Sequence, residues 1–363
     1  MSDNPFTPLE SGRESIRGQA LLSAVATLLA LTPRGNRREL LRLESLAAAM
    51  LPTASGAELL RFAQAAGPRD DIDPALVRQL LRSTDDEVLA CLALQSPLVE
   101  ADQLCELAES ASERVAVAIA RRSRLDAATV SVLAGREEAA VIDALLANPA
   151  AELAPADQAR LLRNGAHGHA ERITDRTDAD IRVLARGFIA LPGEARRKVL
   201  ERASSMAPTS PGDTARALQP ADKSVIEEIS RLTEREDGAA LRLRLAEALD
   251  LPLNRMDALI NDGDGIGLVT VARALDLPES LLARLLIRSL IAVARGPRET
   301  LALVDLYRKV PRHAARFVIE AVKRVESHEA LARPSQRRMA EPDAIPALHQ
   351  SGEALPERRE SAA

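Results

Sequence analysis

The sequence predicts an all-α protein, an α-solenoid of short helix-pair repeats with a period near 26 residues. Three observations lead there. Apolar residues recur in pairs eight positions apart, and their anchors step by 27, 26 and 28 residues between Ile72 and Leu153. No segment alternates apolar and polar residues with period two. The 46% hydrophobic content is almost entirely Leu, Ala, Val and Ile, because aromatics make up 1% of the chain and Trp is absent. Sheets draw instead on aromatic and β-branched residues.

Residues 1–16 read as a flexible N-terminal segment. Met1 to Gly18 carries Asp3, Glu10 and Glu14 and has no basic stretch leading into an apolar one, so it is not expected to be a signal peptide. Residues 17–206 form the expected first repeat domain. It opens on an uncharged run, Gln19 to Pro33, that is too short to cross a bilayer, which takes about 20 apolar residues. The pairs then follow in order: Leu51/Leu59, Ile72/Leu80, Val99/Leu107, Leu125/Leu133, Leu153/Leu161 and Leu191/Val199. Eight positions are just over two helical turns, so both members lie on one face. A second helix follows in each unit, with apolar slots at Val88, Val115 and Val141, then Leu92, Ile119, Leu145 and Ile173, and small residues Cys91, Ala118 and Ala144 between them. Neither helix of a unit can bury its stripe alone, and stacking successive pairs makes a continuous core. Thr84–Glu87 and Ser110–Glu113 read as capping boxes for second helices. Pro74, Pro155 and Pro278 stand where first helices should begin.

Residues 207–220, with three Pro and a Gly, read as a linker. The second helical region, 221–326, contains a near copy of one stretch: Leu245-Ala-Glu-Ala-Leu-Asp-Leu-Pro252 recurs as Val271-Ala-Arg-Ala-Leu-Asp-Leu-Pro278, 26 residues later. The pairs Leu251/Leu259, Leu277/Leu285 and Val310/Val318 keep the spacing of eight. Residues 327–363, rich in Pro, Arg, Glu and Ser without an apolar stripe, read as a disordered tail.

The stretch Ser96-Pro-Leu-Val99, then Ser112-Glu-Arg-Val-Ala-Val-Ala-Ile-Ala-Arg-Arg-Ser123 and Leu145-Leu-Ala-Asn-Pro149, resembles a bacterial family known as domain of unknown function 2336. The likeness covers roughly residues 40–326. It implies short HEAT-like or leucine-rich-variant helical repeats, and it transfers no activity and no site residues.

The net charge of −5 gives no general attraction for nucleic acid or anionic membranes. Too few aromatics exist for a base-stacking platform. Two cysteines, Cys91 and Cys105, cannot make a disulfide framework, and a reducing, cytoplasmic setting is expected. Only four of the 48 basic residues are Lys, a bias that GC-rich coding alone would produce.

Each candidate for chemistry has a plainer reading. His167-Gly-His169 lacks the third and fourth ligands of a zinc site, and His169 takes the slot of Val88, Val115 and Val141. Asp262-Gly-Asp-Gly265 begins like a calcium loop but has Ile266 and Arg273 where ligands are needed, so it reads as a helix–helix turn. His328-Glu329 is a single dyad of the kind that di-iron HEAT-repeat hydroxylases need several times over. Cys91 fits a small core slot. No nucleophile has a partnered base. No enzyme, cofactor, metal or nucleic acid is therefore expected. Basic clusters occur at Arg121–Arg124, Arg196–Lys198 and Arg337–Arg338 and acidic ones at Asp70–Asp73 and Asp85–Glu87, as charges at helix ends usually do to cap or complement the dipole. Repeats bring equivalent positions into register, so Arg114, Arg121 and Arg122 beside neighbouring carboxylates are the expected partner-binding ridge. The function expected is a cytoplasmic scaffold or adaptor for a protein partner. The alternatives are an Arg-based sensor of a small anion and a HEAT-like nucleic-acid-binding enzyme.

Overall fold

The computed structural model describes residues 21–164, 167–206, 222–287 and 296–332. The expected N-terminal segment, the linker and the tail beyond residue 332 lie outside the described residues. Within them every regular element is helical and no strand occurs. Residues up to Lys323 form one compact unit; of the second, Arg324–Ala363, the described part is helical.

Helix α1 (residues 21–31) is followed by α2 (Arg37–Met50) and α3 (Gly56–Ala66). The regular pairs come next: α4 (Pro74–Leu80) with α5 (Asp86–Gln95), α6 (Ala101–Ser110) with α7 (Glu113–Ala120), α8 (Ala127–Ala134) with α9 (Ala139–Ala147), and α10 (Pro155–Asn164) with α11 (His167–Asp175). Helices α12 (Ile181–Arg186) and α13 (Gly193–Ser205) close this half. The chain makes two layers. Second helices α3, α5, α7, α9, α11 and α13 pack each on the next, and first helices α6, α8, α10 and α12 do likewise beneath them.

The apolar slots explain the layering. Val88, Val115 and Val141 are each fully buried, as are Leu92, Ile119, Leu145 and Ile173. The anchors Ile72/Leu80, Leu153/Leu161 and Leu191/Val199 are buried at both ends. Cys91 is half-buried where Ala118 and Ala144 are buried. Pro74 and Pro155 are the first residues of α4 and α10, and Pro278 immediately precedes a helix. The two expected capping boxes do not form. Asp85 rather than Thr84 caps α5, accepting from the Glu87 N–H at 2.8 Å. Ser110 ends α6, and Ser112 at the head of α7 makes no cap bond. Capping boxes occur instead at Ser55/Glu58 and Glu100/Gln103.

The second half comprises α14 (Lys223–Glu234), α15 (Gly238–Leu249), α16 (Leu253–Ile260), α17 (Ile266–Leu275), α18 (Glu279–Ile287), α19 (Pro297–Lys309) and α20 (Arg312–Ala332). Every residue of α17 except Arg273 is buried, as expected of a helix apolar all round. It packs against α13, α15, α16 and α19, making it the hub that joins the two halves.

Candidate functional site

The C-terminal carbonyls of a helix have no partners within it. Along the second-helix layer they are met by a side chain from the following unit. Arg122, just past α7, donates to the Ala93 carbonyl at 2.8 Å and the Ser96 carbonyl at 2.5 Å, at the end of α5. Asn148, just past α9, donates to the Ala120 and Arg122 carbonyls at 2.8 and 2.7 Å. Arg176, just past α11, donates to the Leu146 and Asn148 carbonyls at 3.1 and 3.0 Å and also to that of Ala151. Arg202 on α13 reaches the Arg176 carbonyl at 2.7 Å. Arg69 does the same for α1, holding the Leu29 and Thr32 carbonyls at 3.0 and 2.8 Å. In the first-helix layer Arg136 holds the Ala108 and Ala111 carbonyls at 2.8 and 3.0 Å.

Three of these arginines are oriented by a carboxylate two residues on: Arg69 by Asp71, Arg136 by Glu138 and Arg176 by Asp178. The Arg136 guanidinium lowers the Glu138 carboxyl to about 2. Burial pushes Asp178 up, but bonds from Arg176 and the Leu153 N–H outweigh it and leave the carboxyl below its usual range. A guanidinium suits this task because its fork presents five donors and cannot deprotonate. At these positions, then, the preference for Arg over Lys has a structural basis.

The outer surface of the second-helix layer carries ion pairs between neighbouring units. Arg114 on α7 meets Glu87 on α5 at 2.9 Å. On α11, Arg172 and His169 meet Asp143 of α9 at 2.6 and 3.2 Å. Lys198 on α13 meets Asp175 of α11 at 2.5 Å. The three residues of the expected ridge thus part company. Arg114 is exposed and paired, Arg122 is half-buried with its guanidinium on carbonyls, and Arg121 is exposed. Arg121 and the nearby exposed Arg124 make no ion pair among the described residues.

The match to known proteins covers this layer from α5 onward. A family model described as an uncharacterised protein conserved in bacteria (DUF2336) matches residues 90–320. The chain belongs to the DUF2336 family. No curated protein and no solved structure matches it.

The DUF2336 stretch includes the first half from within α5, most of the second half, and the polar cluster between them. Arg196 on α13 is 6% exposed and donates to the Phe188 and Ile189 carbonyls at 3.0 and 2.6 Å, to Asp262 at 2.8 Å and to Asp264 at 3.3 Å. Its guanidinium also lies 5.6 Å from the centre of the Phe188 ring. The expected turn at Asp262–Gly265 is present between α16 and α17, and its carboxylates dock the second half onto α13. Asp262 accepts from the Gly265 and Gly267 N–H groups at 2.9 and 2.5 Å. Burial, with Asp264 alongside, pushes the Asp262 carboxyl up to about 7 against the pull of the Gly267 N–H and Arg196.

The remaining candidates are scattered over the DUF2336 fold. His167 and His169 fall on the first turn of α11, not on a loop. His328 and Glu329 lie on α20. Among the described residues no three His, Cys, Asp or Glu side chains are grouped to hold a metal ion. Burial raises the Cys91 thiol above its ordinary value, and burial with Glu109, Asp126 and Asp102 nearby does so for Cys105. A groove of about 390 Å³ between α6, α8 and α10 is lined by Glu109, Ser131, Arg136 and Arg160. The Arg160 Nε there is buried without a partner. No helix among the described residues is long and apolar enough to cross a membrane.

Proposed function

We propose that this DUF2336 protein is a non-catalytic cytoplasmic scaffold or regulatory adaptor, a HEAT-like solenoid that binds an acidic protein surface along its second-helix layer. The observation behind this reading is the outer face of that layer. Ion pairs between units neutralise it on both sides of the α7–α8 turn, while Arg121 and Arg124 stand exposed without a carboxylate among the described residues. Two neighbouring exposed arginines between paired positions favour a complementary partner and disfavour a generic polyanion. Stacked repeats offer the extended surface such a contact needs.

The test is quantitative affinity purification of the full chain from its native cell. Proteins recovered with the wild type should be lost from an Arg121→Glu/Arg124→Glu double variant and retained by Arg82→Glu, an exposed charge reversal elsewhere. Identical recovery from all three would remove the reading. A second reading, an Arg-based sensor of a small anion, draws support from the unpartnered Arg160 Nε in its groove. A thermal-shift screen with nucleotides distinguishes the two, since a bound anion raises the midpoint of the wild type.

A further inference from the structure

Helix α1 is the uncharged run singled out in the sequence, and it is apolar on two faces. Its inner face, Leu22, Val25, Ala26 and Leu29, is at most 5% exposed. On the outer side Leu21, Leu28 and Leu31 are 51%, 49% and 73% exposed, with Ala24 also exposed between them. These four positions are spaced three, four and three apart, the spacing of a helix–helix seam. Exposed leucines elsewhere are fewer per helix, two on α2 (Leu41 and Leu46) and single ones such as Leu94 on α5, and the outer face of the second-helix layer carries charge at Arg114, Arg172 and Lys198.

We propose that α1 is the contact between two copies of this chain, packed antiparallel across a two-fold axis. The seam is complementary to itself when reversed. Pairing about its midpoint sets Leu21 against the second copy's Leu31 and Ala24 against the second copy's Leu28, so each large residue at the centre faces a small one. A two-fold contact must use the same patch twice. Residues 21–31 carry no charge, so the seam itself brings no like charges together although the chain as a whole is at −5.

Other occupants fit less well. A helix lying on a membrane needs a basic polar face opposite its apolar one, and the opposite face of α1 is the buried core. In residues 1–20, the apolar Phe6, Leu9 and Ile16 are interrupted by Pro8, Glu10, Arg13 and Glu14, which would set charge against the leucines. One helix seam is a small interface, so the association belongs at the weak end of the range.

Light scattering or sedimentation of the full chain, between about 10 µM and 1 mM, tests this. The weight-average mass of the wild type should rise from 39.0 kDa toward twice that value. Leu28→Glu/Leu31→Glu should hold at 39.0 kDa throughout with an unchanged unfolding midpoint. Independently of that variant, Ala24→Cys chains mixed with Leu28→Cys chains, both with Cys91→Ala and Cys105→Ala, should cross-link faster than either alone. The proposal is overturned by a wild type that stays monomeric, by a seam variant that associates equally, or by uniform cross-linking. It is also overturned if association appears only after removal of residues 1–20, or if the wild type instead floats with neutral phospholipid vesicles.

Discussion

The two halves of the compact unit end their helices in different ways. From α5 to α13, C-terminal carbonyls are satisfied by a side chain from about 26 residues downstream: Arg122, Asn148, Arg176 and Arg202. In the second half a local closure is added, although distant arginines still serve some ends: Arg312 and Arg316 meet the Ala274 carbonyl at 3.4 and 3.1 Å, and Arg273 meets that of Val310 at 2.8 Å. Glu236, Asp250 and Asp276 take left-handed conformations with φ of 59°, 52° and 57°, and they are the only such non-glycine residues among those described. The Leu251 N–H returns to the Ala246 carbonyl and the Leu277 N–H to the Ala272 carbonyl, at 2.9 and 3.0 Å. That is the Schellman closure, with Asp where glycine is commoner. The near-verbatim Ala-Leu-Asp-Leu-Pro copies are therefore two copies of one stop signal. The comparison teaches that one repeat rhythm accommodates two kinds of helix end, met by distant side chains in both halves and closed by a left-handed local turn only in the second.

The largest effect expected is at the hub. A Cβ on Gly267 would lie 1.9 Å from the Leu259 carbonyl oxygen and 2.8 Å from Asp262 Oδ2. Gly267→Ala should therefore cost about 4 kcal/mol or more, visible in urea denaturation as early loss of the second half. Next is Arg176→Ala, which strands several carbonyls and leaves Asp178 unpaired. A loss of about 3–5 kcal/mol is expected, and Arg176→Lys should recover only part of it because one ammonium cannot span the same carbonyls. If Arg176→Ala unfolded no more easily than the wild type, cohesion between units would have to come from apolar packing alone.

The carboxylates that orient the staples and the carboxyl at the hub should also respond oppositely to pH. Glu138 and Asp178 have lowered carboxyl values, so the stability they contribute is complete above the ordinary carboxylate range and disappears as pH falls through it toward 2. Asp262 is raised to about 7. Its folded-state proton stabilises the hub fully below pH 3.8 and progressively less as pH climbs to 7. Hydrogen exchange, corrected for the intrinsic rate, should thus report α17 more protected at pH 5.5 than at pH 8, and Asp262→Asn should abolish the difference. The smallest effect expected is a gain. Asp250→Gly removes left-handed strain at an exposed position and gives up only the surface pair with Lys323, so stabilisation of about 0.5–1 kcal/mol is expected from the thermal midpoint.

Much of the fold was legible because its rule is short-range: anchors eight apart and slots near 26 mark the buried faces, and Val88, Val115 and Val141 are all fully buried. The caps were not legible because local capping is sought within one helical turn, whereas these bonds cross a whole unit. A signal was present in Arg69-Asp-Asp71, Arg136-Glu-Glu138 and Arg176-Thr-Asp178, each an Arg-x-carboxylate at a helix end. The Thr84 and Ser110 boxes misled for a related reason, since Asp85 is the better acceptor and Ser110 still belongs to the preceding helix. Arg122 looked like surface and serves as a staple. The clasp of Arg196 on Asp262 joins residues 66 apart, and nothing in either segment alone names its partner.

From α5 to α11 the staples run one way. Each second helix there is finished by the unit that follows it, and the finishing residue is itself held in turn: Asn148 grips the Arg122 carbonyl and Arg202 grips that of Arg176. During synthesis, when the chain emerges from its N-terminus, every unit leaves the ribosome with open carbonyls and closes only when the next one arrives. Assembly therefore trails translation by one repeat. The same polarity makes removals unequal: a cut at the C-terminal side reopens the unit before it, whereas a cut at the N-terminal side leaves the downstream helix ends intact.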